Sequence, residues 1–189
     1  MYRVIIATTA LLMLAAGSLQ AREFHDLQFP DEVTLPGTQT PLQLNGIGFR
    51  TKFFFKIYIG ALYTVDKAAT HDAVVSQRGP KRVLMHFVYD EVEAEKLVSA
   101  WNEGFEANTT PAQLETLRGR IERFNALFPT VHAGDEVQLD YVPDTGTRVT
   151  INGEVRGVIE GADFYTALLD IWLGEEPVDE DLKQAMLGQ

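Results

Sequence analysis

The chain has 189 residues, with 16 Lys and Arg against 27 Asp and Glu, a formal charge of −11 and no cysteine. That acidic balance disfavours nucleic acid and anionic membrane surfaces as partners, and the lack of thiols excludes disulfides, thiol catalysis and lipoprotein anchoring. The length suits one domain whose stability rests on its apolar core alone.

Arg3 and the uncharged apolar stretch from Val4 to Ala16 read as a secretory signal, with cleavage expected after Ala21, just before Arg22. An uncleaved anchor is the weaker alternative, because the run falls short of the ~20 residues that cross a bilayer. The reading is therefore a signal peptide at 1–21 and one domain at 22–189. The domain is one unit more negative than the whole chain, since only Arg3 is lost. A cleavable signal with no further anchor points to the periplasm. No repeat, low-complexity tract or long linker divides the domain.

Pro36-Gly37 and the alternation through Leu42 and Leu44 predict an early hairpin over 33–44. Gly46-Ile47-Gly48 lacks the third glycine and the following helix of a phosphate loop, and reads as a turn. From Thr51 to Val65 both parities are largely apolar, which predicts a strand in the middle of a sheet, covered on one face and shielded or ligand-contacting on the other. Arg82 to Tyr89 reads as a further strand.

Asp90 and Glu93 form a capping-box signal for a helix carrying Ala94, Val98, Trp101 and Phe105 and ending near Asn108. Thr110-Pro111-Ala112-Gln113 starts a second helix, with Leu114, Leu117, Ile121 and Phe124 on its buried face. Period two returns through Val137, Leu139 and Tyr141, then through Val149 and Ile151. Asn152-Gly153 is a strong hairpin signal leading into Val155 and Val158. A helix through Phe164, Leu168, Ile171 and Trp172 ends at Gly174, and a short acidic helix follows Pro177.

Generic catalytic motifs are poor. The histidines His25, His71, His86 and His132 lack metal-ligand spacing, and Ser76 and Ser99 lack a nucleophile-elbow setting. No metal or cofactor is expected. Glu91, Glu93 and Glu95 read as a solvated helix start, where acids favour the positive end of the dipole.

Four stretches carry a resemblance: Leu44-Asn45-Gly46-Ile47-Gly48-Phe49-Arg50, Lys56-Ile57-Tyr58-Ile59-Gly60-Ala61-Leu62-Tyr63, Trp101-Asn102-Glu103-Gly104-Phe105, and Leu169-Asp170-Ile171-Trp172-Leu173-Gly174-Glu175-Glu176 with Asp181-Leu182-Lys183. In order and spacing they resemble the chalcone isomerase-like family, which includes plant chalcone isomerases and plastid fatty-acid-binding proteins, and most of all its exported bacterial branch. The resemblance implies an α+β open-faced β-sandwich: a large antiparallel sheet, a helical layer on one face and a ligand cleft between them.

It also implies site residues. Arg50 corresponds to the arginine of the plant isomerase cleft and Asn102 to its asparagine. Ile57 or Tyr58 stands at the first threonine, Glu95 at the tyrosine and Ile171 at the second threonine. Loss of those hydroxyl donors forfeits transition-state stabilisation, so turnover of chalcone is expected to be negligible. Arg50 keeps its charge in an apolar cleft, where it can hold a carboxylate through two parallel hydrogen bonds or pair internally with an acid such as Glu95.

Three functions are weighed: a non-catalytic periplasmic protein binding a small apolar carboxylate such as a fatty acid; an isomerase or lyase using Arg50 and Asn102; and a structural or partner-binding module whose cleft is filled by its own side chains. Whether Arg50 meets an open cavity or a closed core separates them.

Overall fold

The structure is a computed structural model that describes residues 21–189. The expected signal segment lies, apart from Ala21, outside the described residues. The chain opens with a hairpin of β1 (Ala21–Phe24) and β2 (Leu27–Pro30), joined by His25 and Asp26 in the left-handed region at φ 53° and 61°. β3 (Glu32–Thr34) and β4 (Pro41–Lys52) form the hairpin expected around Pro36-Gly37. β4 then turns at Phe53-Phe54 into β5 (Phe55–Thr64).

Two expectations are corrected here. Gly46-Ile47-Gly48 lies inside β4, not in a turn, and Thr51 to Val65 is not one strand. Thr51 and Lys52 end β4, and the next strand starts only at Phe55. Periodicity missed the turn because Phe53-Phe54 contains none of the Gly, Asn, Asp or Pro residues that normally mark one.

The chain continues through α1 (His71–Val75), β6 (Lys81–Phe87), β7 (Glu91–Val92), α2 (Ala94–Asn108), α3 (Pro111–Asn125) and β8 (Val131–His132). It ends with β9 (Glu136–Val142), β10 (Gly146–Ile151), β11 (Glu154–Ile159), α4 (Ala162–Leu173) and α5 (Glu180–Met186). α2 starts later than the capping-box signal predicts, because Glu91 and Val92 are drawn into antiparallel pairing with His132 and Val131. Its Ala94 amide is met instead by Thr130 Oγ1 at 3.1 Å. The Thr110 and Gln113 capping box of α3 is present as expected, each side chain bonding the other's backbone amide.

Seven strands form one sheet in the order β11-β10-β9-β6-β5-β4-β3, every neighbouring pair antiparallel. β6 and β9 are neighbours, so α2 and α3 are an excursion that lays a helical layer over the sheet. Trp101 and Phe105 of α2, Phe124 of α3 and Trp172 of α4 share one core with Tyr58, Leu62, Met85 and Leu139 of the sheet. On the opposite face Ile59, Ala61, Tyr63 and Leu84 pack with Phe29 of the first hairpin. This α+β architecture, a large antiparallel sheet with helices on one face, is the one expected.

Candidate functional site

The site is built on β4 and β5. Pairing steps from Leu44↔Tyr63 to Gly46↔Leu62, leaving Asn45 as an extra residue, and from Arg50↔Tyr58 to Thr51↔Lys56, leaving Ile57 extra. Such bulges bend a strand and re-aim side chains. The first turns Asn45 into the interior, where its amide donates to the Ala68 and Met186 carbonyls at 2.8 Å each and its oxygen accepts from the Ala68 amide at 2.7 Å.

Between the bulges, Gly46 and Gly48 of β4 and Gly60 of β5 face the helical layer and leave a lane of sheet without side chains. α5 lies directly on it. A Cβ at Gly46 would overlap the Ala185 carbonyl oxygen, one at Gly48 would sit 2.6 Å from the Ala185 Cβ, and one at Gly60 would sit 3.1 Å from a Leu182 methyl. These glycines permit close approach, which is why they stand inside strands. α5 is fastened by Asp179, whose carboxylate accepts from the Leu182 amide at 3.1 Å and the Thr51 amide at 2.8 Å.

Alternation carries Arg50 to the end of this lane. It is half-buried, and among the described residues it makes no ion pair and no side-chain hydrogen bond. Beside it Tyr58 is buried, and its hydroxyl accepts from Trp172 Nε1 at 2.9 Å. Burial pushes the Tyr58 hydroxyl up to about 12, against the pull of the Arg50 charge and the Trp172 bond. Tyr58 is therefore a neutral phenol at any ordinary pH.

The model of chalcone isomerase-like proteins matches residues 21–188. The chain belongs to the chalcone isomerase-like family. Among solved structures it is similar to a fatty-acid binding protein of Arabidopsis thaliana, with a TM-score of 0.68 and 16% identity over 89% of this chain and 96% of that one. At that identity the likeness is one of fold. No curated protein matches the sequence.

Of the residues that the family resemblance assigned to a cleft, the structure brings together only Arg50 and Tyr58. Glu95 is exposed in the first turn of α2, and among the described residues no ion pair joins it to Arg50. α2 buries Leu97, Trp101 and Phe105, so Glu95 is left in water. The internal pair weighed for Arg50 is thus not formed with Glu95. Asn102 turns toward α3, where its oxygen accepts from Asn125 Nδ2 at 2.8 Å, while its neighbour Trp101 packs on Trp172. Ile171 is buried against Gly104, where a Cβ would lie 2.8 Å from its methyl. It closes α4 onto α2 and does not line an opening.

Sequence reasoning missed Asp179, although an Asp three residues before an apolar Leu182 and just after Pro177 is a readable N-cap. It also missed the pair His71 and Asp170, whose Nε2 and Oδ1 lie 2.7 Å apart in a groove of about 580 Å³ that Asn108 and Lys183 also line. Burial disfavours a charge on His71, but Asp72 and Asp170 together outweigh it and raise its pKa, while Asp170 is raised by its own burial. A second cavity of about 310 Å³ lies under the first hairpin, lined by Phe29, Tyr63, Arg82 and His86. Arg50 lines neither. Among the described residues no cluster of three or more His, Asp and Glu could hold a metal ion.

Proposed function

We propose that this chalcone isomerase-like protein is a non-catalytic periplasmic binder of a small apolar carboxylate such as a fatty acid. The observation that carries the reading is Arg50, a half-buried cation without an acidic partner among the described residues, at the end of a lane that is otherwise apolar. A guanidinium keeps its charge in such a place and matches a carboxylate with two parallel hydrogen bonds. The acyl chain would run over Gly48 and Gly60 in the space now taken by Ala185 and Leu182, so α5 must lift for it to enter. α5 has only seven residues, held at its ends by Asn45 and Asp179, and its lifting must also release the buried Leu182 and Met186. The fold shared with a fatty-acid binding protein supports the ligand class. The periplasmic location rests on Arg3 and the apolar run after it.

Calorimetric titration of delipidated protein with fatty acids of increasing length tests the reading. Arg50→Ala is expected to weaken binding roughly tenfold or more, because hydrogen bonds to a charged group contribute about 1.5–3 kcal/mol and each decade is about 1.4 kcal/mol. Arg50→Lys restores part of the affinity, since an ammonium lacks the planar fork. Asn102→Ala changes little, as Asn102 faces α3. If no acid binds, or Arg50→Ala binds as well as the parent, a second reading takes over. It is favoured by the close fit of α5 on Gly46, and makes the protein a closed module whose cleft is occupied by its own C-terminal helix.

A further inference from the structure

The hairpin between β4 and β5 ends in three consecutive phenylalanines that the fold does not use. Phe53 is 84% exposed, Phe54 98% and Phe55 57%, and Phe55 meets the part-exposed Tyr89 edge-on at 5.7 Å. Exposed single apolar residues are ordinary, but four aromatics gathered at one tip are not. The backbone beneath them is strained as well. Phe53 has φ 57°, a conformation that a bulky residue adopts rarely and at a cost that glycine avoids. Unfavourable backbone that persists at a surface tip points to a use for the side chains it displays.

The charge around the tip is also unlike the rest of the molecule. Residues 33–65 contain no Asp or Glu, in a chain whose formal charge is −11. Within that run Arg50, Lys52 and Lys56 flank the rings, and among the described residues none of the three is in an ion pair. Lys56 lays its ammonium over the Phe49 ring at 3.9 Å and is otherwise exposed. Asp179, which reaches this end of β4, is committed to the Thr51 and Leu182 amides.

We infer that the Phe53-Phe54-Phe55 tip docks the protein on a lipid bilayer, with the rings at the headgroup and acyl boundary and Lys52 and Lys56 on lipid phosphates. Phenylalanine rings buried at the acyl boundary with lysines beside them at the headgroups are a composition that interfacial anchors use. Rings as free as Phe53 and Phe54 can enter a fluid phase that needs no matching pocket. Overall negative charge does not forbid this, because distant charges are screened within about 8 Å at physiological salt while the tip cations touch the surface. The contact would be peripheral: no helix among the described residues is long and apolar enough to cross a membrane. The inference rests on the tip and stands apart from the ligand assigned to Arg50.

The test uses the protein expressed from its full sequence, with vesicles of phosphatidylethanolamine and phosphatidylglycerol carrying brominated acyl chains. A tryptophan probe is placed by Phe54→Trp in one variant and by Val155→Trp, on β11 near the far edge of the sheet, in another. Measured against the parent, whose own Trp101 and Trp172 are buried, the expected result is an added blue-shifted, bromine-quenched component in the first variant and no added quenching in the second. This local readout separates the tip from the apolar run at 4–16. Replacing all three rings by serine is expected to abolish quenching of a probe placed at Tyr89 by Tyr89→Trp. It should also weaken co-sedimentation with vesicles roughly tenfold or more, with an unchanged circular dichroism spectrum as proof of folding. An unquenched tip probe on vesicle-bound protein would overturn the inference, as would unaltered vesicle affinity of the serine variant. A tip-dependent dimer in sedimentation velocity without lipid would overturn it too, assigning the rings to a second copy of the chain. Fatty-acid titration in lipid-free buffer is a separate measurement, so either conclusion can fail alone.

Discussion

Two hairpin turns of the same length show opposite priorities. Asn152-Gly153 sits between Ile151 and Glu154, and Phe53-Phe54 sits between Lys52 and Phe55. In the first, Asn152 and Gly153 take φ 51° and 79°, the left-handed conformations for which those two residue types are suited. Asn152 also bonds outward, accepting from the Glu136 amide and donating to Asp135, both at 2.8 Å. In the second, a phenylalanine occupies a left-handed position and its ring touches almost nothing. One turn is chosen for folding. The other surrenders local stability in order to show its side chains, and a turn that does so marks a surface with a purpose outside the fold.

Substitutions at each turn sharpen the contrast. The largest effect is expected from Gly153→Val, which should destabilise by about 2 kcal/mol in urea denaturation, as a β-branched residue is forced to positive φ. A Cβ there meets nothing within 4 Å, so the loss would be backbone strain and not a clash. Phe53→Gly should do the reverse and stabilise by roughly 0.5–1 kcal/mol, since the left-handed strain relieved exceeds the extra chain entropy that glycine loses on folding. A loss of stability in that variant would mean that the Phe53 ring is held by the fold, and the contrast would break. The smallest effect belongs to Phe54→Ser, expected to stay within about 0.5 kcal/mol of the parent by thermal unfolding, because an almost fully exposed ring contributes little to the core.

Much of the fold was legible because local signals agreed with one another. The Thr110 and Gln113 box, the period-two strands and Asn152-Gly153 each state a local preference that the tertiary structure also satisfies. The Phe53-Phe54 turn was illegible for the opposite reason: its residues prefer strand, and tertiary pairing overrode them. The Asp90 cap failed because a two-residue strand, β7, competed for the same segment and won through its pairing with β8.

At the candidate site, Arg50 and Tyr58 were legible only through the family resemblance, because the pairing that sets them side by side depends on the Phe53-Phe54 turn. Asn102 and Glu95 could not be placed even by that route. Their orientation depends on which stripe of α2 is buried, and a correspondence uncertain by a single residue rotates a helical side chain by about a quarter turn. The glycine lane was visible as Gly46, Gly48 and Gly60, but its meaning depended on a helix more than a hundred residues later.

That distance bears on how the protein is made. Asn45 and Met186 bond across 141 residues of sequence. At a synthesis rate of about 5–20 residues per second, β4 exists for on the order of ten seconds before α5 leaves the ribosome. Through that interval the lane over Gly46 and Gly48 has no cover, and the Asn45 amide lacks one of its acceptors. A chain that ends before α5 should therefore leave Asn45 short of an acceptor and the lane bare, so the cover of the sheet cannot be completed until the last residues are made.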